Sequence, residues 1–332
     1  MLSRKHAPFI VLASAAALSV TAATFSLPAG GEGAPTPATN APPSMRQSNA
    51  DAAGPESPAD KTEPLAPAAT PVIPTAVPAS NSEVTVAATA ARQNEDLRRG
   101  LDWAFGGKQQ RGWWLYQPLI ARTLGVEADA GADEFARAVA RWQRAAGLGV
   151  TGVLDRTTWM RMVETWQTRR LGSSAYPRPD ELVSVPATEF YDPARPAELR
   201  QVERGTYAAY KRLLAAAAAD ASLELRLKPN GELDDSEKFF RIVSAYRSRE
   251  YQERLRRADP TSGRAGLARN SPHFTGRALD LYVGGYDPVS TKDDNRALQT
   301  QTKAYRWLVK HAESFGFRPY YYEPWHWEYV VR

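Results

Sequence analysis

A chain of 332 residues, 43% hydrophobic and 24% charged, has room for about two globular domains and the means to bury a core in each. It has no cysteine, which excludes disulfides and cysteine-held metal; any ion must use His, Asp or Glu, and only His6, His273, His311 and His326 are available. The net charge of +5 is modest, and no Lys/Arg cluster interleaved with aromatic residues occurs, so no nucleic-acid partner is expected.

Residues 1–26 read as an export signal. Arg4, Lys5 and His6 form a basic start, Ala7 to Phe25 a stretch of apolar or small residues centred on Phe9 to Leu12 and Leu18, and Thr21, Ala22 and Ala23 a small-residue cleavage region. An uncleaved anchor is the alternative, because the apolar run sits near the lower limit for spanning a bilayer. Membrane contact is expected only through such an anchor. Either way the rest of the chain is expected outside the cytoplasm, in the periplasm or cell envelope.

Residues 27–92 shift to Pro, Ala, Thr, Ser and Gly, as in Pro71-Val72-Ile73-Pro74, and contain no aromatic residue beyond the signal. Such a segment buries too little apolar surface to offset its ordering entropy, so it is expected to be a disordered tether. As a flexible coil of about 65 residues it would span on the order of 45 Å.

Residues 93–171 form the first expected folded unit. Phe135, Val139 and Trp142 fall on one helical face, Gly147 and Gly149 end that helix, and Asp155 is placed to cap a helix carrying Thr158, Trp159 and Met162. Trp142-Gln143, the run from Gly147 to Asp155, and Thr157-Thr158-Trp159 together resemble the small all-α peptidoglycan-binding module of many wall enzymes. Gly112-Trp113-Trp114-Leu115-Tyr116 departs from that family's pattern. The resemblance implies wall binding; a helical domain without a ligand is the alternative.

Residues 189–332 form the second unit. A long helix is expected through Tyr207, Tyr210, Leu213 and Ala215 to Ala219, then strands at Leu223 to Leu227 and Phe239 to Ser244. Ser248 reads as the N-cap of a helix holding Tyr251 and Leu255. A strand from Ala278 to Val283, a helix from Asn295 to Phe315 and a strand from Trp327 to Val331 complete it. This order predicts an α+β fold: a small, mostly antiparallel sheet flanked by helices.

The chemistry lies in Ser271-Pro272-His273-Phe274-Thr275-Gly276-Arg277-Ala278-Leu279-Asp280 and Glu323-Pro324-Trp325-His326. His273, Asp280 and His326 make a three-ligand zinc site with a fourth position free for water, the pattern of a catalytic site. Glu323 could aim its carboxylate at that water. The ligands come from loop and strand ends, unlike the helical His-Glu-x-x-His arrangement.

These motifs, preceded by Ser244-Ala245-Tyr246-Arg247-Ser248, resemble the VanY-type D-alanyl-D-alanine carboxypeptidases, relatives of lysostaphin-like and hedgehog-like zinc proteins. Ala245 stands where that family usually has Gly, and Lys228 to Lys238 is longer than usual. The resemblance implies that His273, Asp280 and His326 bind Zn2+ and that Glu323 acts as general base and acid. Arg247 would stabilise the oxyanion or hold substrate, and Ser271 would help place it. The implied substrate is the peptidoglycan stem peptide ending in D-Ala-D-Ala. Two other readings stay open: an L,D-carboxypeptidase or D,D-endopeptidase on wall peptides, and a catalytically inactive peptidoglycan-binding regulator. Tyr320, Tyr321 and Tyr322 either line the cleft or pack; His311 is expected to be structural or solvent-facing.

Overall fold

The structure is a computed structural model that describes residues 81–172, 175–258 and 271–330. The export signal and the expected tether up to residue 80 lie outside these residues. Among the described residues, no helix is long and apolar enough to cross a membrane.

The final residues of the expected tether are helical. α1 (Asn81–Gly100) buries Ala90 and Ala91 against Ala136 and Val153. The alanines that end the Pro/Ala/Thr/Ser/Gly stretch serve a helix here, because alanine is the best helix former. Next comes an unanticipated hairpin of β1 (Asp102–Phe105) and β2 (Lys108–Arg111). Gly106 and Gly107 turn it with φ of 61° and 73°, as a two-residue hairpin loop requires.

α2 (Gln117–Leu124), α3 (Ala132–Ala145) and α4 (Arg156–Thr168) follow. Asp155 caps α4 as expected, accepting from Thr158 N at 2.8 Å. Gln143 explains much of the local motif. Its Oε1 accepts from the backbone N–H of Thr151 and Gly152, both at 2.9 Å, and its Nε2 donates to Val153 O at 3.0 Å. One buried amide thus ties the end of α3 to the turn before α4.

β3 (Leu182–Ser184) pairs with β4 (Gln201–Glu203), and α5 (Arg204–Ala219) is capped by Glu203, which accepts from Gly205 N at 2.9 Å and Thr206 N at 2.7 Å. Then come β5 (Ile242–Ser244), α6 (Arg249–Ala258), β6 (Ala278–Leu281), α7 (Asp293–Gln301), α8 (Lys303–His311), β7 (Phe317–Pro319) and β8 (His326–Tyr329). The four-stranded sheet runs β5-β6-β8-β7 with every pairing antiparallel. The fold is α+β, with helices before and around small antiparallel sheets.

The helical part and the part built on this sheet share one continuous apolar core. Tyr321 is the hinge pin of that contact, with its ring 4.9 Å from Phe105, 5.5 Å from Tyr116 and 5.8 Å from Trp166. The three consecutive tyrosines therefore pack between the two parts.

Three expected elements take a different form. Leu223 to Leu227 is not a strand; Glu224 has φ of 54°, which breaks extended pairing, and only a bridge between Leu227 and Leu233 remains. The strand expected from Phe239 starts at Ile242, because Phe240 also has positive φ (64°). The helix expected from Asn295 to Phe315 breaks at Thr302. Its extended backbone (ψ 149°) lets Oγ1 accept from Tyr305 N at 3.1 Å and donate to Val283 O at 2.7 Å, capping α8 and pinning it beyond β6. β7 was not anticipated: it has three residues and carries a proline, which an edge strand tolerates.

Candidate metal centre

Asp280 lies on β6 and His326 on β8, directly opposite each other in the antiparallel register. His273 comes from a short 3-10 turn, Pro272–Thr275, that feeds into β6. Ser271 caps this turn, accepting from His273 N at 3.4 Å, and Gly276 closes it with φ of 68°. A Cβ at Gly276 would stand 2.9 Å from the backbone N of Glu203, so glycine answers both the backbone conformation and the close approach of β4.

These elements bring one ligand atom from each of His273, Asp280 and His326 within 4.8 Å of one another, all buried. His273 Nδ1 lies 2.8 Å from the carbonyl of Ala245. A carbonyl only accepts, so Nδ1 carries the proton and Nε2 presents a lone pair. That Nε2 is 3.2 Å from Asp280 Oδ2 and has no hydrogen-bond partner. His326 Nδ1 is 2.9 Å from Asp280 Oδ1. Four-coordinate zinc with bonds of about 2.0–2.2 Å sets neighbouring ligand atoms roughly 3.4 Å apart. The orphaned imidazole nitrogen and the observed spacings fit such an ion.

The electrostatics divide the two imidazoles. Burial pushes His273 down to about 4, so it is neutral across the physiological range. Burial also acts against charge on His326, but hydrogen bonds to Asp280 and Glu328 outweigh it and raise His326 to about 9 in the metal-free protein. Asp280 resists its own burial through the charge and hydrogen bonds of both histidines, which hold it well below the usual carboxylate range.

Glu323 sits in the turn between β7 and β8. Its backbone carbonyl accepts from His326 N at 2.9 Å, and its carboxylate oxygen Oε1 is buried without a partner. Burial pushes its carboxyl up to about 7, which suits a group that both takes and gives a proton near neutrality. Arg247 is equally buried: its Nη2 lies 3.6 Å from Asp280 Oδ2, and its Nε and Nη2 donate to Ser244 Oγ at 3.3 and 3.2 Å. All six residues singled out in the sequence are thus buried in or beside the turn and strand ends that form the cluster. His311 is outside it, packed 4.8 Å from the ring of Trp307.

Glu328 was not anticipated. As a charge near the end of the chain it reads as surface, yet it is fully buried and its Oε1 lies 3.2 Å from His326 Nε2. The available signal was its position two residues beyond His326 on a strand, which places both on one face.

Residues 200–332 match the family described as VanY, D-alanyl-D-alanine carboxypeptidase, and residues 125–162 match a family of peptidoglycan binding domains. No curated protein matches the chain. Among solved structures, one described as "Structure of the LdcB LD-carboxypeptidase reveals the molecular basis of peptidoglycan recognition" is similar at 22% identity. It covers 48% of this chain and 71% of that chain with a TM-score of 0.31, too slight a likeness to argue from. The motifs, the His-Asp-His cluster and the two matches converge: the chain carries a domain of the VanY carboxypeptidase family preceded by a peptidoglycan-binding domain.

Proposed function

We propose that the chain is an exported, zinc-dependent carboxypeptidase that removes the terminal D-alanine from peptidoglycan stem peptides ending in D-Ala-D-Ala. The observation that carries this reading is the convergence of one ligand atom from each of His273, Asp280 and His326 within 4.8 Å. Family membership supports hydrolysis of a peptidoglycan peptide; the choice of zinc and of the bond rests on the donor set and the motifs.

His273, Asp280 and His326 would hold the ion, which supplies Lewis acidity that acidifies water and polarises the scissile carbonyl. Glu323, poised near 7, takes the proton from the attacking water and returns it to the leaving amine. Arg247 presents a fixed, always-charged guanidinium beside Asp280, where it can hold the substrate carboxylate or the developing oxyanion. Ser271 acts on His273 through the turn that it caps, and so positions the metal ligand as well as the peptide. The helical part would hold the enzyme to its polymeric substrate.

The test is to incubate zinc-loaded protein with a pentapeptide ending in D-Ala-D-Ala and follow the products by mass spectrometry, with Glu323→Gln as control. Loss of one D-alanine by wild type alone supports the reading. An intact pentapeptide overturns it, and the same assay on tetrapeptide and crosslinked dimer then separates the other wall peptidases from an inactive binding protein.

A further inference from the structure

Glu328 is held from two directions. On one side is the imidazole of His326, with Nε2 3.2 Å from Glu328 Oε1. On the other are Arg170 and Leu171, which follow α4 of the helical part after its C-cap Arg169. Arg170 Nε donates to Glu328 Oε1 at 3.0 Å and its Nη2 joins the same oxygen; Leu171 N donates to Oε2 at 2.8 Å. Arg170 also lies 3.9 Å over the ring of Tyr320, which packs 5.9 Å from the His326 ring.

An ionised carboxylate can only accept, so without an ion both nitrogens of His326 carry protons, Nδ1 toward Asp280 and Nε2 toward Glu328; when an ion takes Nδ1, the remaining proton sits on Nε2, where Glu328 holds it. A metal-ligating histidine commonly donates its other N–H to a carboxylate, which fixes the tautomer and ring orientation. Here that carboxylate is oriented by a guanidinium and a backbone amide from a part of the chain more than 150 residues earlier.

We propose that the helical part is a component of the metal centre: Arg170 and Leu171 fix Glu328, and Glu328 orients His326 for the ion. The proposal rests on the reading of His326 as a metal ligand. Arg170 and Glu328 are positioning residues, not catalytic ones, and they tie metal affinity to the docking of the peptidoglycan-binding part. The module is then more than an anchor, because undocking it would free the carboxylate that orients one of three ligands.

The experiment measures zinc affinity by competition with a chromophoric chelator, in the full chain, for wild type, Glu328→Gln, Arg170→Met and Arg170→Lys. Near-UV circular dichroism of each metal-free protein reports its packing. Wild type is expected to take up one zinc, with Arg170→Met and Glu328→Gln binding it roughly 10- to 100-fold more weakly at unchanged dichroism. Arg170→Lys should recover part of the loss, and the double variant Arg170→Met/Glu328→Gln should bind no more weakly than Glu328→Gln alone. Affinities within twofold of wild type in folded variants would overturn the proposal, as would losses confined to variants whose dichroism collapses. If Glu328→Gln does not fold, Arg170→Met decides, since that side chain is 20% exposed and methionine keeps its apolar stem. A wild type that takes up no zinc would instead overturn the metal reading of His326 itself.

Discussion

Arg296 Nη1 donates to the phenol oxygen of Tyr116 at 2.9 Å, a bond between two buried side chains 180 residues apart. Burial pushes the Tyr116 hydroxyl up to about 12, so the phenol stays neutral and can serve as acceptor. The same Nη1 reaches Tyr322 O at 3.2 Å, and Nη2 reaches Asp293 Oδ1 at 2.7 Å. One guanidinium thus stitches the helical part to α7 and to the turn that carries Glu323.

Because the two parts share this bond and one apolar core, residues 81–330 should unfold in a single transition. Tyr321→Ala removes a ring by which the sheet part packs on Phe105 and Trp166 of the helical part, and should destabilise the whole by about 3–5 kcal/mol. Calorimetry checks both statements. Two separate transitions, or a loss confined to one of them, would mean the parts fold independently. By the same argument, a fragment starting at residue 189 exposes Tyr320, Tyr321 and Tyr322 and should be poorly soluble.

Removing a ligand should remove the ion. His273→Ala, Asp280→Asn and His326→Ala are each expected to lower bound zinc from one per chain to well below one, and hydrolysis should fall with it. Metal analysis after gel filtration measures the first, and product mass spectrometry the second. Full occupancy in any of the three would exclude that side chain from the ligand set.

Zinc uptake should release protons. His326 is raised to about 9 in the metal-free protein, so at pH 7 it is mostly protonated and must lose that proton to offer Nδ1. Apparent affinity should therefore climb with pH up to about 9 and level off above it. The sign for stability is the reverse. A raised histidine stabilises the metal-free fold fully below its unfolded value of 6.5, and that stabilisation is lost as pH rises through about 9. Calorimetric titrations in buffers of different ionisation enthalpy count the protons released; none released at pH 7 would contradict the assignment.

Glu323→Gln should separate stability from activity. A buried carboxyl raised from 4.5 to about 7 favours the neutral form, so its penalty is absent below about 4.5, grows between there and 7, and is complete above. That displacement amounts to on the order of 3 kcal/mol at most, and the neutral amide escapes it. The metal-free variant should melt higher than wild type at pH 8 and equally at pH 4, while kcat falls roughly 10²- to 10⁴-fold with zinc retained. Equal melting at both pH values would show that the carboxyl is better solvated than its burial implies.

The clustering of His273, Asp280 and His326 was legible because its signal is short-range. Gly276 and the strand after it constrain His273 and Asp280 within eight residues, and the antiparallel register then has only to bring His326 opposite Asp280. The α+β class followed from helical and alternating periodicity for the same reason. Elements set by distant contacts were not legible. Thr302 breaks a helix because its hydroxyl meets the Val283 carbonyl, and Glu224 and Phe240 adopt backbone conformations that no local pattern announces. Glu328 was not singled out because its partner, Arg170, lies in another part of the chain. The hairpin at Asp102 carried a local cue, Gly106-Gly107 between two four-residue strands, that the polar run Lys108 to Arg111 masked.

α1 gives the molecule an order in which it would yield to mechanical load. Any pull arriving through the residues before Asn81 falls first on α1. That helix is seated by small side chains, Ala90 and Ala91 on Ala136, and by the paired hydrogen bonds of Asn94 to Gly152 O and Leu154 N. The aromatic seam at Tyr321 lies further along the load path and is far broader. Tension should peel the first helix while His273, Asp280 and His326 stay in register, which makes α1 a fuse placed upstream of the His-Asp-His cluster.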